Sequence, residues 1–166
     1  MKKKAIIGMI TGAVLVATLS GTAMAKNIGQ EVEGKVSAYG NGKITIEDPY
    51  GKKHSFSVTK ATKTKSSLNK KIEVGSLVEV DANAKKQAVK IEAERTLEFN
   101  GTIEAWTNKE ITIRYGESIY KYPTAARVKL DVDDDLGSLS KADVIGLYAE
   151  LTMNQNGEIT KVEIDD

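Results

Sequence analysis

Two aromatic side chains, one histidine and two runs of charge are the residues here whose types and spacing could serve a ligand. Tyr39 closes the run Gly34-Lys35-Val36-Ser37-Ala38-Tyr39, and Trp106 closes the matching run Gly101-Thr102-Ile103-Glu104-Ala105-Trp106. An aromatic ring at the end of a strand can stack a sugar or a base. It can equally cover the end of its own unit beside a turn. Lys52, Lys53, His54, Lys60, Lys63, Lys65, Lys70 and Lys71 form a basic stretch. Clustered on one side, such lysines attract an anionic cell-wall polymer, lipid head groups or nucleic acid, of which nucleic acid is not expected. Interleaved with Thr, Ser and Asn, they also read as a solvated loop.

Asp131, Asp133, Asp134 and Asp135 raise the chemistry of a hard cation such as calcium, which takes several carboxylate oxygens on a tight loop. The EF-hand spacing fails, because Leu136 stands where its glycine belongs and Ala142 where its glutamate belongs. The other reading is an acidic loop capping a short helix around Ser138 to Asp143. Catalysis has weaker support. The chain holds a single histidine and no cysteine, and it lacks the Gly-x-Ser-x-Gly of a nucleophile elbow. A two-carboxylate glycosidase is a third reading, but two small units leave little room for a deep cleft. The expectation is no enzyme and no cofactor.

These residues sit in a chain that repeats itself. Ile44-Thr45-Ile46 recurs as Ile111-Thr112-Ile113 at the same offset, 67, that relates the two aromatic runs. Tyr50-Gly51 recurs as Tyr115-Gly116 at offset 65, and Gly75, Glu79, Lys90 and Ile91 recur as Gly146, Glu150, Lys161 and Val162 at offset 71. The offset changes only in turns and in a polar stretch, where insertions are tolerated.

The amino terminus reads as an export signal, residues 1–25. Lys2-Lys3-Lys4 is followed by an apolar run from Ala5 to Gly21 and by Ala23-Met24-Ala25, the small-x-small pattern of a signal peptidase site. Cleavage after Ala25 is predicted, and no later segment approaches a membrane span. Without cysteine there is no disulfide and no lipidated amino-terminal Cys, so stability must come from apolar cores. The first unit, 26–94, carries a balance of +4 and the second, 95–166, one of −6. Such asymmetry can orient a partner or dock one half on the other.

Period-two patterning places the units among all-β folds. In the first, Val32, Gly34, Val36 and Ala38 share one face, with Glu33, Lys35, Ser37 and Tyr39 on the other. Gly40-Asn41-Gly42 and Asp48-Pro49-Tyr50-Gly51 are turns. Further strands are expected near Lys53–Val58, Leu77–Ala82 and Ala88–Glu94. Thr59 to Lys71 is too polar for a buried strand and is expected to form a short helix or ordered loop. Glu79 and Lys90, like Glu150 and Lys161, are expected to face each other across strands. The result is two tandem five-stranded OB-like (or SH3-like) small barrels, each with a short helix or loop between strands 3 and 4. The junction Ala93-Glu94-Arg95-Thr96 has no Gly or Pro and predicts a short, stiff connection.

The spine of Gly-x-Val/Ile, Ile-Thr-Ile, a hydrophobic-Gly pair before Leu-Val-Glu-Val and a final Lys-Ile-Glu resembles small secreted OB-like repeat domains of uncharacterised function, over about Val32 to Ile164. It is also similar to the periplasmic copper-efflux chaperone family, which is OB-like and holds copper with a His, two Met and a Trp on one barrel. His54 falls near where that family carries its methionines. However, the first unit adds no Met or Trp, and the second has Trp106 and Met153 without His, so copper binding is not carried over. The expectation is an exported, non-catalytic binding module, extracellular, wall-associated or periplasmic. Its partner would be an envelope glycan, an anionic polymer or a protein. The alternative is an envelope metal-binding protein using His54 or the Asp131–Asp135 loop.

Overall fold

A computed structural model describes residues 29–66, 71–132 and 139–164. Every regular element among them is a strand. The first six are β1 (Gln30–Gly40), β2 (Lys43–Glu47), β3 (Lys53–Ser57), β4 (Lys63–Ser66), β5 (Leu77–Ala82) and β6 (Ala88–Glu94). The rest are β7 (Thr96–Trp106), β8 (Glu110–Tyr115), β9 (Ser118–Val132), β10 (Tyr148–Asn154) and β11 (Ile159–Ile164). The chain is therefore all-β. Only Arg95 separates β6 from β7, in keeping with the expected short junction.

β7 to β11 form a closed barrel in the order β10-β11-β9-β8-β7. All its pairings are antiparallel except β9 with β11, which is parallel. This order, with its parallel closing pair, is the OB-like arrangement and not the SH3-like one. The first unit has the order β3-β2-β1-β5-β6-β4. It is the same circuit with the third strand broken in two: β4 pairs parallel with β6 as the far half of β9 does with β11. Two threonines make the break. Thr59 accepts the Thr62 N–H on its backbone oxygen, and Thr62 Oγ1 accepts the Thr59 N–H and donates to the Ala88 carbonyl at 2.7 Å. The seam between β3 and β6 is held by a parallel bridge of Ser57 to Gln87 and by Ser57 N–H donating to Lys86 O at 2.9 Å.

The polar stretch from Thr59 to Lys71 thus contains a strand, β4. Its residues are polar because the strand is the outer strand of the sheet, joined to β6 through its backbone while its side chains stay largely exposed. In the second unit, Lys141 to Gly146 forms successive turns, and no helix is present among the described residues there. Asp133 and Asp135 lie outside the described residues.

A repeated bulge changes which way the two aromatics face. In β1·β2, Val36 pairs with Ile46 but Ala38 pairs with Thr45, so Ser37 is the extra residue. In β7·β8 the same shift makes Glu104 extra. One added residue reverses the alternation beyond it. Tyr39 therefore shares the face of Ile44, and Trp106 that of Ile111, both isoleucines being fully buried. The expected position opposite Val36 and Ile103 is corrected accordingly.

Each unit has its own apolar core. Val36, Ile44, Ile46, Phe56, Val78, Val80 and Ile91 fill the first, and Leu97, Ile103, Ile111, Ile113, Leu151, Ile159 and Val162 fill the second. The first unit also gives side chains to the second. Leu77 is buried in the second cluster and Tyr50 packs against it. Tyr50 stacks on Tyr115 at 4.0 Å and meets Phe99 edge-on at 5.9 Å. Tyr122 in turn donates to the Pro49 carbonyl at 2.7 Å. The turn between β2 and β3 is thus the lock between the two barrels. Asp48 rigidifies it: Oδ1 accepts the N–H groups of Tyr50 and Lys52, and Oδ2 meets His54 Nε2 at 2.9 Å.

Candidate functional site

Tyr39 stands at the open end of the first barrel. The bulge turns its ring to the core side, yet the position lies past the last filled layer, so the residue keeps 38% of its surface exposed. It lines a cleft of about 310 Å3 with Thr64, Lys65, Ser66, Lys71 and Ile72. The aromatic comes from the end of β1. The hydroxyls and Lys65 come from β4, the strand the sequence pattern missed. Lys65 is drawn to Glu92 at 2.5 Å, which lies opposite it in register. Ile72, buried, anchors the start of the return to β5.

Trp106 occupies the equivalent position in the second barrel but a different environment. It is half-buried against that barrel's core, and its indole N–H is buried without a hydrogen-bond partner. The Lys141 ammonium lies 5.0 Å from the ring centroid, a cation–π distance. Its face is therefore taken by the protein itself. Tyr39 and Trp106 belong to separate barrels, one at the end of β1 and the other at the end of β7.

The basic stretch divides between two places. Lys63 and Lys65 lie on β4, next to β6. There Lys90 joins Glu79 at 3.0 Å and Glu92 at 2.7 Å, so the expected Glu79–Lys90 contact is present. Lys65 and Lys90 together hold the Glu92 carboxyl below its ordinary range, the hydrogen bond from Lys65 being the larger cause. In the second unit Lys161 bonds to Glu163 and lies 3.7 Å from Asp131.

Lys52, Lys53 and His54 lie instead at the start of β3. They line a second cleft, about 330 Å3, with Gln30, Ser55, Phe56 and Lys86. No carboxylate is among these lining residues. Lys86 arrives from the β5–β6 hairpin, brought to the seam by the Ser57 bond to its carbonyl. Linear spacing did not join Lys86 to the basic stretch, because the two meet only at the seam between β3 and the β5–β6 hairpin. Lys53 also has Glu47 at 3.9 Å, a loose pair between side chains 64% and 45% exposed.

The metal candidates are engaged by protein groups. His54 Nε2 is held by Asp48. Asp131, next to last in β9, lies between Lys129 at 2.6 Å and Lys161, and the hydrogen bond from Lys129 is the first cause holding its carboxyl below its ordinary range. Among the described residues no group of three or more His, Asp or Glu side chains gathers as a cation site would require. No helix among them is long and apolar enough to cross a membrane. The sequence matches no protein-family model and no curated protein.

Proposed function

We propose that the protein is an exported, non-catalytic binding module of the cell envelope or extracellular space that takes a glycan or other anionic polymer on its first barrel. The observation that carries this reading is the Tyr39 cleft. A partly exposed ring beside two lysines and two hydroxyl side chains combines three things a charged saccharide needs. The ring offers a stacking face, the Lys71 ammonium offsets acidic substituents while Lys65 is shared with Glu92, and the hydroxyls accept and donate to sugar hydroxyls. The size suits one or two sugar residues, near the lower end of ligand clefts. Export rests on the amino-terminal signature of residues 1–25. The second barrel, with Trp106 covered by Lys141, serves as the rigid support.

Calorimetry with acidic and neutral envelope polysaccharides tests this. The intact protein is expected to release heat with the acidic polymer, and Tyr39→Ala is expected to lose most of it while keeping its Tm. Equal binding by Tyr39→Ala, or no binding by the intact protein, would remove the reading.

A further inference from the structure

The β5–β6 and β10–β11 hairpins are the same structure built twice. Asn83 N–H donates to Gln87 O and Lys86 N–H to Asn83 O; Asn154 N–H donates to Glu158 O and Gly157 N–H to Asn154 O. The Asn83 side-chain oxygen accepts from Lys85 and Gln87, and the Asn154 oxygen from Asn156 and Glu158. At offset 71, Lys86 stands where the second hairpin has Gly157. Both residues have positive φ, 56° and 82°. Glycine adopts that conformation freely, whereas a side chain with a Cβ is strained there. Among the described residues Asn41 is the one other non-glycine with positive φ, and asparagine tolerates it better than most. A lysine is thus kept where the fold prefers glycine, and it lines the cleft at the seam with Lys52 and Lys53.

The rest of that cleft departs from the repeat in the same direction. By strand pairing, Lys53 and His54, which face Glu47 and Ile46, correspond to Ile119 and Tyr120, which face Arg114 and Ile113, and Lys52 corresponds to Ser118. Where the first barrel gathers three lysines and a histidine, the second has a single lysine, Lys121 at the place of Ser55, and it is paired with Glu110 at 3.2 Å. Strain retained at a single residue points to function more than to folding.

We infer that the seam of the first barrel is an anion site for a phosphoryl group, with Lys52, Lys53 and Lys86 as its ligands and Gln30 as a neutral donor. Lysine ammonium groups act as point charges from several directions, which suits a tetrahedral, multiply charged phosphate better than a planar carboxylate. The source is a free phosphate or the phosphate of a polymer. The site shares no lining residue with the Tyr39 cleft and does not rest on the glycan reading.

The test is calorimetry on the full chain with inorganic phosphate, with polyphosphate and with a phosphate-free polycarboxylate, alongside thermal melts. Lys86→Gly is expected to hold or raise Tm, since Gly157 shows the hairpin accepts it, and to weaken phosphate or polyphosphate binding about tenfold, roughly one charge-assisted contact. The Lys52→Ala/Lys53→Ala pair is expected to weaken it further, whereas Lys85→Ala, outside the cleft, leaves it unchanged. Binding of inorganic phosphate identifies the small anion as sufficient; binding of polyphosphate alone identifies a polymer. Absence of both overturns the site. So does an equal loss of polycarboxylate affinity in Lys86→Gly, unaltered phosphate binding in that variant, a lowered Tm in it, or an equal loss in Lys85→Ala, which marks diffuse surface charge.

Discussion

Tyr50 and Asn100 exchange two hydrogen bonds across the two barrels. The phenol donates to the Asn100 carbonyl at 2.8 Å and accepts the Asn100 N–H at 3.2 Å. One side chain thereby stands in for a missing pair of backbone partners on β7, while its ring is packed by Phe99, Tyr115 and Tyr120. Tyr50→Phe keeps the ring and removes both bonds, leaving a backbone pair on β7 without its partner. Urea unfolding is expected to show a loss of about 1–3 kcal/mol. Tyr50→Ala removes the packing as well and is expected to lose ~3 kcal/mol or more, with separated transitions for the two barrels. A single unchanged transition in Tyr50→Ala would mean that the barrels are not coupled through this turn.

The same junction is expected to fail in alkali. Burial pushes the Tyr50 phenol up to about 12, and burial likewise raises Tyr122, with the Tyr50 charge adding to it. The native phenols therefore hold their protons beyond the ordinary value of about 10. Between that value and the native ones the folded protein binds more protons than the unfolded chain, so stability falls as pH rises through this window. Tm measured upward from pH ~9 is expected to drop. The decline is expected to be shallower in Tyr122→Phe, which also loses its bond to the Pro49 carbonyl. An equally steep decline in that variant would assign the alkaline transition to other groups.

Gly34 and Gly101 are repeat partners under unequal constraint. A Cβ on Gly34 would meet the Glu47 backbone oxygen at 2.5 Å, and backbone in a paired strand cannot move aside. A Cβ on Gly101 would meet Ile113 Cδ1 at 2.7 Å, Ile113 Cβ at 3.1 Å and the Arg114 carbonyl oxygen at 3.2 Å, so its tightest contact is a side-chain terminus and not backbone. Gly34→Ala is expected to destabilise by about 2–3 kcal/mol and Gly101→Ala by about 1 kcal/mol. Denaturant midpoints of the two variants decide the order. The reverse order would place the tighter strand crossing in the second barrel.

Much of this architecture was legible because the repeat marks the residues that a barrel needs. Ile44, Ile46, Ile111 and Ile113 alternate cleanly and are fully buried, and Gly34 and Gly101 sit where strands approach closely. The bulges were not legible. Ser37 and Glu104 carry no turn signature, and the extra residue shows only in pairing, so period-two reasoning put Tyr39 and Trp106 on the wrong face. The strand β4 was hidden because it pairs with a parallel neighbour distant in sequence and keeps polar side chains outward. Lys86 was hidden for the same reason of distance. The alignment of its hairpin with Asn154–Glu158 was a signal that could have exposed it.

Three glutamates form a straight cross-strand row on the first sheet. Glu33 pairs with Glu79 and Glu79 with Glu92, ending at Lys65. The lysines satisfy Glu92 and Glu79 at one end of the row. Glu33 lies at the other end, where burial raises its carboxyl and the charges of Glu79, Glu94 and Glu98 add to the effect; a hydrogen bond from the Glu98 backbone partly offsets it. Because its native value lies above the ordinary one of about 4.3, the contribution of this group is greatest at low pH and diminishes as pH rises through the native value. Glu33→Gln keeps an acceptor for the Glu98 N–H and removes the repelling charge. It is expected to stabilise the protein by about 0.5 kcal/mol at neutral pH and to be neutral below about pH 4, read from urea midpoints at both. A gain of equal size at both pH values would assign the effect to packing and remove the carboxylate row as its cause.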